Sequence, residues 1–434
     1  MKRIIKGAWL MTPEGLKKDF GLEMTDGTIT KVAANADLSA EGAEEVLDCT
    51  DQIILPGFVN GHNHMYGFLS HGITAEAIVT EFSSFLDDFW WPYVEDRLDH
   101  KLVEATTEMA CVEMIDSGVT SFVDILEGPH SIPGALEVEA KVVEKAGLRG
   151  KLSFEACQRA GEEIAELGLK ENYDFLTSRS ADDLVQGLMC IHTLFTCDEH
   201  YVKKAKAMAN EAGTMIHMHL SESVFEPTWC REHLGKGPVE AYDEYGYLDE
   251  NVLASQVVQV TDEELDILAK RGVKAVSMPL SNCEVGGGFA PISKMLAKGM
   301  TVGLGTDGYV NNFFEVMRGA FLMHKANEQS TQTMPAPLVY RMATELGADA
   351  CGFEGCGRLI EGAKADVITL DLDIPTPINE HNVYDQVVLF ENPDHVVNVF
   401  VNGRALKRDY KLTTMDKAAV KAKMREVTDR FWHV

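Results

Sequence analysis

At 434 residues the chain has room for two or three domains of roughly 100–200 residues each, although one α/β barrel alone takes about 250. Hydrophobic residues make up 45% and charged residues 25%, which excludes a disordered or fibrous chain. Lys+Arg 39 against Asp+Glu 68 leaves a formal charge of -29, a surface that repels phosphate backbones and anionic headgroups, so neither nucleic acid nor membrane is an expected partner. The nine cysteines are scattered, odd in number and without a C-x-x-C pair, which argues against a disulfide framework or zinc ribbon and for a reducing cytoplasm. The start, MKRIIKGAWLM, is broken by Lys6 and followed at once by Thr12-Pro13, so it lacks the apolar stretch of a signal peptide. No window reaches the roughly 18 uncharged apolar residues of a membrane-spanning helix.

Residues 1–56 read as short strands separated by turn residues, RIIKGAWLM, GLEMTDGTITKVAA with an Asp26-Gly27 hairpin signal, and EEVLDCTDQIILPG. From about Pro56 short apolar runs alternate with amphipathic stretches: GFVNGHNH, LVEATTEMACVEMIDSG, GVTSFVDIL, AKVVEKAG, LRGKLSFEAC, LVQGLMCIHTLF, VKKAKAMANEAG, TMIHMHL, VKAVSMPL and MTVGLGTDG. Strands alternating with helices make parallel βα units, and about eight such strands between Phe58 and Asp307 predict a (β/α)8 TIM-type barrel over 57–362. No glycine-rich dinucleotide fingerprint follows the first strand, which weighs against an open doubly wound sheet. Beyond residue 363 strand texture returns in ADVITLDL, YDQVVLFE and VVNVFVNGRALKRDYKLT, and a helix from about Met415 to Trp432 closes the chain. The α/β fold predicted is thus a barrel with a small β-sandwich domain built from both chain ends, 1–56 and 363–434.

In such a barrel, polar groups at the carboxyl ends of the strands converge on one mouth. The first strand ends in Gly61-His62-Asn63-His64, whose i, i+2 spacing points both imidazoles to one side of an extended segment. TMIHMHLSES ends in His217 and His219, of which one suffices as a ligand; Glu222, three residues beyond, favours His219. MTVGLGTDG ends in Asp307. Alone, each has a plainer reading, an incidental histidine pair, a packed histidine, or an aspartate capping a helix. Together they make two or three imidazoles and one carboxylate from separate strands, a set suited to one divalent ion, Zn²⁺ first and Fe²⁺ second, with a position open for water.

These motifs, PGFVNGHNH, HLSES and the block SNCEVGGGFAPISKMLAKGMTVGLGTDG, with IEGAKADVITLDL and VVNVFVNGRAL at the end, resemble the amidohydrolase superfamily, in its branch of guanine deaminases, cytosine deaminases and triazine hydrolases. GTDGYVNNFFEVMR and FWWPYVEDRLD most resemble the aminohydrolases associated with selenium and purine metabolism. The resemblance covers almost the whole chain and implies that His62, His64, His219 and Asp307 bind one metal ion. It further implies that Glu222 shuttles protons, that Asp307 takes a proton from the hydrolytic water, and that the subunit forms a homodimer or higher homo-oligomer. A divalent ion lowers the pKa of its bound water from about 15.7 toward 7, and the hydroxide so formed would attack an sp² carbon bearing an amino group. Glu222 would protonate the adjacent ring nitrogen and ammonia would leave.

One position departs from the family pattern. Where the relatives end the sixth strand on a histidine, this chain reads Ser255-Gln256-Val257, and no histidine occurs between His233 and His324. Gln256 donates or accepts a hydrogen bond but carries no charge near neutral pH. Other candidates for substrate contact are His192, at the end of another strand; Trp90 and Trp91, able to stack on a planar ring; and Glu155 and Arg159, able to read a polar edge. Their plainer readings are a supporting hydrogen bond, helix packing and ordinary ion pairing. Asn282 and Glu315 are expected to shape loops. The expectation is a hydrolytic deaminase of a small aminated heterocycle or cyclic amidine of purine, pterin or pyrimidine type. Its rivals are a cyclic-amide hydrolase or chlorohydrolase on the same scaffold, and a metal-binding relative without turnover, which the replacement at Gln256 keeps open.

Overall fold

In the computed structural model, which describes residues 2–73, 76–309 and 311–433, the chain ends build one sheet and the middle builds a ring of parallel strands. The first five strands are β1 (Lys2–Thr12), β2 (Gly15–Lys18), β3 (Phe20–Thr25), β4 (Thr28–Ala34) and β5 (Glu45–Pro56). The β3–β4 connection is the two-residue Asp26-Gly27 turn, with φ of 48° and 84°. Two successive positive φ values suit the right-handed twist of a tight hairpin, and Asp and Gly tolerate them.

The ring comprises β6 (Phe58–Asn63), β7 (Val119–Leu126), β8 (Arg149–Phe154), β9 (Val185–Gly187) continued by β10 (Met189–Cys190), β11 (Ile216–Leu220), β12 (Val252–Gln256), β13 (Lys274–Ser277) and β14 (Val302–Leu304). Hydrogen-bonded ladders run β6-β7-β8-β9 and β10-β11-β12-β13-β14, all parallel. Single bridges, Ala156 to Ile191 and Asn63 to Asp307, join the two arcs. The second brings the metal-ligand candidates of the first and last strands side by side. It depends on Gly305, where a Cβ would stand 2.8 Å from the His62 carbonyl oxygen. Below the mouth, Val59, Val123, Ile125, Leu188, Leu253 and Val276 pack against Ala348, Ala350 and Cys351 of the helix Glu345–Cys351.

The chain then returns in β15 (Val367–Asp371), β16 (Val396–Val401), β17 (Arg404–Arg408) and β18 (Lys411–Leu412). These extend the terminal sheet in the order β18-β17-β16-β15-β5-β1-β3-β4, with β2 on β1. The sheet curls on itself so that Thr28 bridges Lys364, enclosing a cluster that includes Ile5, Leu10, Leu22, Ile29, Val367 and Phe400. The two layers of the sandwich are therefore one continuous hydrogen-bonded sheet. Arg149 of β8 ties it to the ring, donating to Asp366 at 2.9 Å and to Asn402 at 2.5 Å.

One expected strand is helical. YDQVVLFE lies in Val383–Asp385 and Gln386–Phe390, where Val383, Val387 and Val388 are buried at helical spacing. The Arg318 guanidinium, from the helix Phe313–Glu328, donates to the Leu389 carbonyl at 3.0 Å. Packing against that helix overrides the strand preference of the β-branched run. The closing helix is Lys417–Trp432. No helix among the described residues is long and apolar enough to cross a membrane.

Candidate active site

The carboxyl ends of β6, β11, β12 and β14 meet around one buried group of imidazoles and carboxylates. Three of these ends pass through left-handed backbone, Ser221 at φ 50°, Gln256 at 71° and Asp307 at 60°. Each costs a non-glycine residue about 1–3 kcal/mol, and such strain concentrates at functional sites.

His62, His64 and His219 form a triad of ring nitrogens lying within 4.8 Å of one another. The partners on the Nδ1 side, two in hydrogen-bonding contact and one in an ion pair, orient all three rings alike. His64 Nδ1–H donates to the Ile125 carbonyl at 2.7 Å, His62 Nδ1 faces His217 Nε2 at 3.1 Å, and His219 Nδ1 lies 2.7 Å from Glu155 Oε1. A protonated Nδ1 leaves Nε2 with its lone pair, so each ring offers Nε2 inward. His64 Nε2 lies 3.3 Å from His219 Nε2, and the Asp307 oxygens lie 3.8 Å from His62 Nε2 and His64 Nε2. A tetrahedral zinc site with bonds of about 2.0–2.1 Å spaces its donors about 3.3 Å apart. His62 Nε2 is buried with no hydrogen-bond partner among the described residues, and burial holds His62 and His64 below the usual imidazole range, hence neutral. The donor set fits a divalent metal ion.

Glu222 lies on the wall of the adjoining cavity; burial and the Asp307 carboxylate push it up to about 8, so it holds a proton at neutral pH. Gln256 does not line the cavity. Its Nε2–H donates to Asp307 Oδ2 at 2.6 Å and its Oε1 accepts from Asn282, a chain that fixes which way the amide faces. Asp307 Oδ1 accepts from the Gly308 N–H at 2.7 Å.

The cavity of about 660 Å³ opens beside these groups. Trp90 and Trp91, on the helical segment Leu86–Val94, are both on its wall with Phe85 and Phe89. His192 and Glu155 are there too; His192 Nδ1 pairs with Thr196 Oγ1 at 2.9 Å, and burial lowers this imidazole to about 3. Arg159 stands behind the wall. It donates to Glu95 at 2.9 Å, Asp96 at 2.8 Å and Glu127, and lies 5.0 Å from the centre of the Trp91 ring. Glu315 stays out of the site and accepts from Asn312 at 3.0 Å. Sequence reasoning missed Glu95, Glu127, Tyr66, whose hydroxyl donates to Glu95 at 2.8 Å, and the contact of His217 with His62. Only the carboxylate of the quoted run PYVEDRLD offered a signal.

Residues 53–406 match the amidohydrolase family. The 5′-deoxyadenosine deaminase of Methanosarcina barkeri is 34% identical over 426 residues, covering 96% of this chain and 95% of that protein. The 5-methylthioadenosine/S-adenosylhomocysteine deaminase of Thermococcus sibiricus is 33% identical, with 94% of each chain covered. Among solved structures, an adenosine deaminase from Xanthomonas campestris with bound zinc superposes with a TM-score of 0.91 at 23% identity, covering 100% of this chain and 99% of that one. That likeness shows the barrel-plus-β-domain fold.

Proposed function

The chain belongs to the amidohydrolase family and is a hydrolase of C–N bonds other than peptide bonds, and on that premise we propose that it deaminates the 6-amino group of an adenine nucleoside altered at its 5′ position. The observation that carries this reading is the convergence of His64, His219, Asp307 and Glu222 on one aromatic-walled cavity, with His62 buried beside them. The relatives named above supply the nucleoside class.

His62, His64 and His219 would hold the metal through Nε2, with Asp307 as the carboxylate ligand. We assign Zn²⁺, with Fe²⁺ second, since imidazole and carboxylate suit both. The bound ion supplies a water molecule made acidic near neutral pH. Asp307 accepts a proton from the attacking water, and the Gln256 N–H on Oδ2 steadies its charged form. Glu222 gives its proton to the ring nitrogen beside the carbon under attack, the proton collected by Asp307 passes to the departing amine, and the remaining hydroxyl proton restores Glu222. A C–O bond forms, the C–N bond breaks, ammonia leaves and the ring keeps a carbonyl. Glu155 holds the Nδ1 side of His219 and so keeps Nε2 turned inward. The aromatic wall stacks on the base and displaces water. The division into 1–56 with 363–434 and 57–362, a homo-oligomer and a cytoplasmic location belong to the same proposal; nine unpaired cysteines accord with a reducing compartment.

The test is ammonia release by zinc-loaded protein from 5′-deoxyadenosine, 5′-methylthioadenosine and guanine, with Glu222→Gln as the blank. Loss of the proton shuttle should lower turnover by about 10²–10⁴. Chloride from a chlorotriazine with no ammonia from any purine would replace this reading with halide displacement.

A further inference from the structure

The cavity wall is lopsided in charge. Beside the protonated Glu222 it carries the carboxyl groups of Glu95, Glu113, Glu127, Glu155, Glu284 and Asp307, and among the described residues no lysine or arginine lines it. Thr74, Ala75 and Val310, outside the described residues, add no cation by type. The nearest guanidinium, Arg159, is committed: its Nε, Nη1 and Nη2 donate to Glu127, Asp96 and Glu95, and Trp91 covers it. Glu95, Glu127 and Glu155 are each 2% exposed, so the wall is poorly screened by solvent. The metal-ligand candidates His64, His219 and Asp307 line the same cavity, and Glu155 Oε1 lies 2.7 Å from His219 Nδ1, so the part of the wall away from a bound ion is the one formed by Glu95 and Glu127.

We propose that this cavity selects aminated heterocycles whose remaining substituents carry no net negative charge and turns away those bearing a phosphate, an inference that rests on the deaminase reading and narrows its substrate class. A phosphate placed against Glu95 or Glu127 would lose its water and gain no charged donor, because every Arg159 nitrogen already serves a carboxylate. A hydroxyl or ammonium group there would instead find acceptors. The excess of carboxyl groups over cationic side chains along the wall extends the same bias to the approach of the ligand.

The test holds the base constant and varies the charge of the tail. Adenosine, 5′-amino-5′-deoxyadenosine and adenosine 5′-monophosphate are titrated against zinc-loaded protein by the fluorescence of Trp90 and Trp91, and ammonia release is followed in parallel. The amine should bind as tightly as adenosine or more so, and the monophosphate at least about tenfold more weakly, the gap closing as salt is raised. Glu284→Lys, which adds a cation to the exposed edge of the wall, should narrow the gap several-fold. Equal or tighter binding of the monophosphate, or no binding of any of the three at millimolar concentration, overturns the inference. Ammonia release in an order unrelated to charge also overturns it while leaving the deaminase reading intact. A charge-ordered binding series with no ammonia sustains the charge rule and overturns the deaminase reading.

Discussion

In the terminal sheet, Ile5, Leu10, Leu22 and Phe400 are buried against one another and the Asp26-Gly27 turn takes the residues its backbone demands, whereas at the barrel mouth His62, Asn63, His217 and Gln256 are at most 1% exposed and the backbone is left-handed at Ser221, Gln256 and Asp307. The sheet follows local preference at each step. The mouth violates it at several, burying polar groups and adopting unfavourable backbone where chemistry is done. Consistency across levels is what makes a sequence fold, and the places where it fails are where function resides. Stability and activity should therefore respond to different residues.

The largest effect expected is at the mouth. His64→Ala removes one of three imidazoles, and metal content by elemental analysis should fall below one ion per subunit with ammonia release at the blank level. Chelation of the wild type should do the same and reverse with zinc. Full metal and full activity in the variant would place the ion elsewhere. Leu22→Ala in the sheet should cost about 2–5 kcal/mol in denaturant unfolding while leaving kcat within twofold. A proportionate loss of kcat would mean the two regions are not separable.

Between these lies Gln256→Leu. It strips Asp307 Oδ2 of its donor and leaves Asn282 facing a methyl group, at a cost of about 1–3 kcal/mol. Metal retention against a competing chelator should weaken as well, and unchanged retention would make the relay a packing feature only. The smallest effect is a slope with pH. Glu226 is buried, its carboxylate accepts from Ser221 N–H at 2.6 Å and Leu194 N–H at 3.2 Å, and burial lifts it to about 7. Its folded pKa exceeds the unfolded value of about 4.3, so its contribution to stability is full below that pH and is lost as pH rises toward 7. Melting temperature should fall across this window, and Glu226→Gln should flatten the curve.

Much of the fold was legible because it is repetitive. Strand-length apolar runs alternating with amphipathic stretches specify βα units, and Asp26-Gly27 between apolar runs specifies a hairpin. YDQVVLFE misled because its valines satisfy a strand as well as a buried helix, and the helix Phe313–Glu328 that decides between them lies outside its window. At the site, His62, His64, His219 and Asp307 stood out by residue type at strand ends, while the role of Glu222 came with the family resemblance. Glu95, Glu127 and Tyr66 did not, since a carboxylate or a tyrosine in a helical stretch is ordinarily on the surface or in the core.

The amino-acid sequence by itself determined most of the order of strands and helices and the donor atoms available to a metal ion, which are properties of residue type and spacing, and it placed a glutamine at 256. Only the tertiary structure decided that Gln256 answers Asp307, 51 positions away, that His217 supports His62, 155 positions away, and that Arg159 is consumed behind the wall by Glu95, Asp96 and Glu127. Closing the barrel brings strand ends together irrespective of their distance along the chain. The charge of the cavity is consequently a sum over segments that no local pattern connects.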